Sequence, residues 1–344
     1  MTRSRFEQLL RSLHFCDNTT PDGDRLYKIR AFVGIFNANC ERIYRPGKEV
    51  AIDESLVPFR GRILFRQYIP SKKHKYGIKL FKLCSRGGYT WRTTIYAGKT
   101  IRDESVADSV VFSLMDGLLD HGRQLCCDNW YSSVGLAKKL LNRKTHLIAT
   151  MRKNRRGIPI LIKGKRLRRG ELYYQQNKDG IMILKWKDKR DLLMISTVHD
   201  GEIGPSNKPV VVEDYNKLMG FVDQSDQMSA YSPFVRRTTK WYIRIFFHFV
   251  TQMAIVNSWR LFCDSKEKIR LNEFKMNLVE SLLHGGLNEA PSPRVNHKLE
   301  KARVGSKEER RRCIGCYKEL CEEKRTHVCY ESYKESYYKM QQVL

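Results

Sequence analysis

Four aspartates carry the first chemical signal in this sequence. Asp53 sits inside Ala51-Ile52-Asp53-Glu54-Ser55-Leu56-Val57-Pro58, an apolar run suited to a buried strand, where a carboxylate needs a reason. Asp128 follows the short apolar run Gln124 to Cys127 and precedes Asn129-Trp130-Tyr131. Asp223 and Asp226 stand three residues apart in Gly220-Phe221-Val222-Asp223-Gln224-Ser225-Asp226-Gln227-Met228, so a helix there would place both on one face. Burying an unpaired carboxylate is costly. Asp53 is therefore solvated at a strand edge, paired with an arginine beyond Pro58, or bound to a metal ion. Carboxylates gathered at a sheet edge repel one another unless cations bind or protons are shared. Mg2+ or Mn2+ would answer that repulsion, and a pair of such ions about 3.5–4 Å apart can activate an attacking oxygen and stabilise the leaving one in phosphoryl transfer. Each acid could instead cap a helix or join a salt bridge, and separations of 75 and 95 residues do not by themselves show that the three stretches converge.

The surrounding pattern predicts the elements that would bring them together. Phe6, Leu9, Leu10 and Leu13 recur at helical spacing, as do Ile29, Phe32, Phe36, Cys40 and Ile43, so two amphipathic helices precede the Asp53 strand. Pro58 ends that strand, because proline cannot donate to the ladder. Ile78 to Cys84 and Tyr89 to Ala97 flank the turn Arg86-Gly87-Gly88 and predict a hairpin, giving a three-stranded antiparallel meander with the first strand. A helix from Ser105 to near Gly122, the strand Gln124 to Cys127, a helix capped by Ser133 and a strand at His146 to Met151 follow. This order predicts an α/β fold with a mixed sheet, its parallel strands joined through helices. Leu172 to Gln175, Ile181 to Trp186 and Leu192 to Val198 then read as an inserted β-meander, and the longest helix is expected from about Lys240 to Cys263.

Charge narrows the partners. Lysine and arginine number 64 against 37 acids, a net charge of +27 that calls for a polyanion or a strongly solvated surface. Arg60 to Lys82 holds eight cations and no acid, with Tyr68, Tyr76 and Phe81 interleaved; Arg60, Arg62, Arg66, Lys72, Lys73 and Lys75 suit a phosphate backbone, unless they form an ordinary solvated face. Arg152 to Arg169 holds nine more cations, beginning with Arg152, Lys153, Arg155 and Arg156. No signal peptide is found, and the apolar stretch Ile245 to Trp259 is too short to span a bilayer, so no membrane role is expected. The ten cysteines are spread along the chain and are expected to be reduced. Near the end, Cys313-x-x-Cys316 is half of a zinc site that His327 and Cys329 could close; a decayed tail is the alternative.

Four stretches together resemble the piggyBac transposase family: Ile52 to Arg62, Tyr76-Gly77-Ile78-Lys79, Cys127-Asp128-Asn129-Trp130-Tyr131-Ser132-Ser133, and Tyr215 to Met228. They fall in the family's order and cover nearly the whole chain. The resemblance implies an RNase H-like mixed-sheet catalytic core, interrupted by a β-rich insertion and flanked by a helical domain. It also implies a catalytic, metal-binding triad of Asp53, Asp128 and Asp223, with Asp226 a nearby fourth. On that pattern residues 1–48 and 233–290 are parts of a dimerisation and DNA-binding domain, 49–152 with 211–232 the core, 153–210 the basic insertion, 291–312 a basic linker and 313–344 a degenerate cysteine-rich tail. The reaction implied is nicking at transposon ends, hairpin formation by the freed 3′-hydroxyl, hairpin opening and joining at TTAA, with double-stranded DNA as partner, a nuclear location, and a homodimer where the N-terminal domain is complete. A domesticated, catalytically silent DNA-binding descendant is the rival expectation. Members usually carry a longer segment ahead of Met1, Phe221 replaces a second glycine, and Ser332 stands where the family's zinc module has another cysteine.

Overall fold

The run around Asp53 becomes strand β1 (Glu49–Pro58), preceded by helices α1 (Arg3–Ser12) and α2 (Tyr27–Ile43). The computed structural model describes residues 2–17, 23–70, 72, 74–98, 105–231, 233 and 238–283, together with four short strands in the tail. The chain divides into two compact units, one of Met1–Leu13 with Asn272–Leu344 and one of His14–Leu271. In the first, the Thr2 hydroxyl accepts the Arg5 amide and caps α1, and Glu300–Lys301 pairs with His327–Val328, Arg303–Val304 with Lys307–Glu308.

In the second unit, β2 (Gln67–Tyr68), β3 (Tyr76–Ser85) and β4 (Tyr89–Ile95) lie on one side of β1. On its other side come β5 (Gln124–Cys127) and β6 (His146–Thr150), reached through α3 (Val106–Met115) and α4 (Val134–Asn142). The short α5 (Ile160–Gly164) leads to β7 (Leu172–Gln176), β8 (Met182–Lys187) and β9 (Asp191–Ser196). Then come α6 (Val210–Ala230), α7 (Trp241–His248), a π-helical segment (Phe249–Ala254) and α8 (Ile255–Ser265).

The strands form one sheet in the order β2-β3-β1-β5-β6-β9-β8-β7, with β4 also on β3. β1, β5 and β6 run parallel and the other pairings are antiparallel. The meander β7–β9 extends this sheet through β6 and is not a separate layer. One face packs Ile52, Leu125 and Leu147 against Val111 and Leu114 of α3 and Leu136 and Leu140 of α4. The other packs Ala51, Cys126, Ile148 and Met194 against Val211, Leu218, Phe221 and Val222 of α6. Burial of this apolar surface is what fixes α6 across the strands that carry the acids.

Three local expectations change. The Ser105 side chain makes no cap hydrogen bond, and α3 stops at Met115, before Gly117 turns into the left-handed region at φ +82°. The run expected as one helix from Lys240 to Cys263 is continuous but widens into the π segment next to buried His248, whose Nδ1 is 2.9 Å from Gln252 Oε1. Among the described residues the cysteines are free thiols, as expected: Cys16, Cys40, Cys84, Cys126, Cys127 and Cys263. The tail residues Cys313, Cys316 and Cys329, the side chain of His327, and Lys73 lie outside the described residues.

Candidate active site

The ladder itself brings two of the aspartates together. β1 and β5 pair in parallel up to Ile52 opposite Cys127, and the next residue on each strand is Asp53 and Asp128. β5 ends at that step, so both carboxylates stand at the carboxyl edge of a parallel pair, where open α/β sheets place functional groups. Carboxylate oxygens of Asp53, Asp128 and Glu54 lie within 4.8 Å of one another. Glu54 is absent from the sequence expectation. Neighbours along a strand point to opposite faces, but beyond the end of β5 no strand separates them.

Their electrostatics fit a hard cation. Burial is the largest influence on Asp53 and pushes its carboxyl up to about 7; the Glu54 amide, which donates to Oδ1 at 2.8 Å, works against this, while the charges of Glu54, Asp128 and Asp223 add to it. Burial also raises Asp128, against the Trp130 amide donating to its Oδ1 at 2.8 Å. No ion pair to Asp53 or Asp128 is found among the described residues, which removes the salt-bridge alternative for Asp53 there. Two half-buried aspartates without an ion-pair partner, with the oxygens of Glu54 gathered this close beside them, form a donor set that Mg2+ or Mn2+ suits.

The other two expected acids sit on α6, on the sheet face that Asp53 shares. Asp223 is exposed and lies outside the close cluster, yet its charge reaches Asp53. Asp226 has a different setting. Its Oδ1 accepts from Lys82 Nζ at 2.7 Å and from Ser55 Oγ at 2.8 Å, and Lys82 also reaches Ser225 Oγ at 3.2 Å. Lys82 is fully buried and lies directly across from Asp53 in the β1–β3 register. Burial works to raise Asp226, but Lys82 and Ser55 outweigh it and hold its carboxyl below the ordinary value. Gly88, at φ +82°, lets the β3–β4 turn touch α6: a Cβ there would come 2.9 Å from the Ser225 amide nitrogen.

The loop after Asp128 is held from behind. Arg155 donates to the carbonyls of Asn129 at 3.1 Å and Trp130 at 2.6 Å, and Arg152 Nε donates to Asn129 Oδ1 at 2.9 Å. Arg155 thus turns inward, away from the role of a free phosphate ligand. Trp130 stacks on Phe81 with centroids 5.6 Å apart, and Lys79 Nζ lies over both rings while donating to Glu54 at 2.6 Å. Arg60, Arg62, Arg66, Lys72, Lys75, Lys153 and Arg156 are exposed. Elsewhere Ser196 Oγ, His199 and Asp214 form a hydrogen-bonded chain, but Ser196 is fully buried and accepts the amides of Val198 and His199, so it locks a turn and offers no nucleophile.

The family model described as "Transposase IS4" matches residues 1–259. Human PiggyBac transposable element-derived protein 3 is 26% identical over 338 residues, covering 89% of this chain and 56% of the relative. Human PiggyBac transposable element-derived protein 2 is 24% identical over 328 residues, covering 87% and 55%. A cryo-EM structure titled as a piggyBac transposase synaptic complex with hairpin DNA superposes with a TM-score of 0.75 at 27% identity, over 96% of this chain and 80% of that one. The chain belongs to the piggyBac transposase family. It spans about half the length of these human piggyBac relatives. As a piggyBac-family chain it presents its acidic cluster on a mixed α/β sheet, and among the described residues no helix is long and apolar enough to cross a membrane.

Proposed function

We propose that this chain performs metal-dependent phosphodiester chemistry on DNA, as a piggyBac-like transposase or its domesticated derivative. The observation that carries this reading is the meeting of Asp53, Asp128 and Glu54 at the end of a parallel strand pair, with Asp223 in electrostatic reach. The strand order β4-β3-β1-β5-β6, antiparallel then parallel, supports an RNase H-like core, with β7–β9 as its β-rich insertion. Asp53 and Asp128 would hold Mg2+ or Mn2+, with Glu54 beside them and Asp223 completing the set from α6. When bound, the metal supplies Lewis-acid activation of an attacking oxygen and charge relief at the leaving one.

The protein's own groups do the positioning. The Lys82–Asp226 pair fastens α6 to β3, and so fixes where Asp223 stands. Arg155 and Trp130 fix the loop of Asp128. The exposed cations after Pro58 carry the phosphate backbone past the site. A water, then a freed 3′-hydroxyl, would serve as nucleophile, each displacing a 3′-oxygen from phosphorus, in nicking, hairpin formation and joining at TTAA. The remaining helices would assemble a dimer on double-stranded DNA, and the substrate places the protein in the nucleus.

The test is cleavage of DNA carrying piggyBac-type ends by purified protein in Mg2+ or Mn2+. Nicking is expected, and Asp53→Ala or Asp128→Ala should abolish it. Protein that binds DNA with a steep salt dependence, never cleaves it, and binds equally well in both variants would instead be a silent DNA-binding descendant.

A further inference from the structure

The β2–β3 hairpin ends in a ring stack that the carboxylate chemistry does not use. Tyr68 and Tyr76 are direct cross-strand partners, their ring centroids 4.9 Å apart. The guanidinium of Arg66 lies 5.0 Å from the Tyr76 centroid and is itself fixed by donating to the carbonyls of Arg60 at 2.9 Å and Gly61 at 3.2 Å. The Ile69 amide donates to the Lys75 carbonyl at 2.8 Å, which closes the hairpin tip. A cross-strand tyrosine pair alone would merely steady a short hairpin. Here the two rings stay 54% and 44% exposed, so their faces remain available. Around them Arg60, Arg62, Lys72 and Lys75 are exposed and take part in no ion pair among the described residues.

A rigid, solvent-open aromatic pair ringed by unneutralised cations has the chemistry of a single-strand platform: the cations follow phosphates while a ring takes a base face. Duplex DNA cannot use the rings, because its bases are already stacked. We infer that Tyr68 and Tyr76, with Arg66, form a stacking platform for an unpaired base of a DNA strand. The inference rests on the DNA reading above and adds to it a preference for strands that have left the duplex. Stacking on the platform holds such a strand by a sequence-tolerant contact, since every base offers a π face.

The experiment compares binding of the full chain to a continuous duplex and to the same duplex with a short single-stranded gap carrying 2-aminopurine. Wild type should favour the gapped DNA and quench the 2-aminopurine fluorescence. Tyr68→Leu should lose the quench and cut the gapped-to-duplex affinity ratio about tenfold, in line with the loss of a base–aromatic stack, whereas Tyr68→Phe should keep both. A photoreactive thymine analogue in the gap of wild-type complexes should crosslink to the peptide that contains Tyr68 or Tyr76. Equal affinity of wild type for both DNAs with no quench, or a Tyr68→Leu protein that still quenches and discriminates, overturns the platform and leaves the DNA reading standing. Wild type that binds neither DNA at low salt overturns both.

Discussion

Two clusters of charge sit side by side on β1 and obey opposite rules. Around Asp226 the chain supplies its own counter-charge: Lys82 is wholly buried, and Ser55 and Ser225 take up further hydrogen bonds. Asp53 itself has no ion-pair partner among the described residues, Asp128 and Glu54 add like charge, and the one cation bonded into the cluster, Lys79, is taken up by Glu54. Both clusters meet on one face of β1, one built on strand residues and the other on a carboxylate that α6 brings down onto the sheet. What separates a structural acid from a chemical one is therefore whether a cation is built in or must be brought from solution.

That contrast can be tested at both ends. The largest effect is expected for Asp53→Asn, which should lower DNA cleavage about a thousandfold or more, equivalent to about 4 kcal/mol in the barrier, without lowering the melting temperature of the metal-free protein. A melting temperature that drops would mean that Asp53 has an internal partner after all. Next comes Lys82→Met, expected to destabilise the fold by about 3 kcal/mol in urea titration because it leaves Asp226 without its cation, with Asp226→Leu added to it restoring most of the loss. If the double variant were as unstable as the single one, the pair would not be what fastens α6. Glu54→Gln should raise by about tenfold the Mn2+ concentration needed for half-maximal thermal stabilisation, about 1.4 kcal/mol; an unchanged midpoint would confine Glu54 to its pairing with Lys79.

The smallest effect concerns pH. Asp53 is held up to about 7 in the fold, chiefly by burial, against an ordinary value of 3.8. Between those values the metal-free folded protein keeps a proton that the unfolded chain has lost. The contribution of Asp53 to stability is then present at low pH and lost as pH rises from about 4 to about 7. Thermal melts in a chelator should show this slope in wild type relative to Asp53→Asn, and saturating Mg2+ should flatten it. Parallel curves for the two proteins would remove the uncompensated charge from the argument.

Much of this was legible in the residues. The strand Gln124–Cys127, the hairpin on Arg86-Gly87-Gly88 and the helical phase of Asp223 and Asp226 follow from local pattern and turn chemistry, and the structure places them accordingly. Lys82 hid in plain view. It belongs to the basic stripe by charge, yet it stands inside the apolar run Leu80-Phe81-Lys82-Leu83-Cys84, buried on both faces of β3, where a lysine needs an acid. Glu54 was invisible for a different reason, since its approach to Asp53 depends on where a strand distant in sequence happens to end. The joining of β7–β9 to β6 is likewise non-local, and nothing in the meander's own alternation specifies its neighbour.

The unbroken sheet has one further consequence, a matter of stiffness. Eight strands in succession from β2 to β7 are joined to one another by backbone hydrogen bonds at every step. The exposed cations beside β2, Arg62 and Arg66, and those entering β7, Arg166, Arg168 and Arg169, are thus held apart by a continuous ladder of backbone hydrogen bonds. Side-chain titration and salt can weaken what either edge holds, but they leave the spacing between the edges as it is.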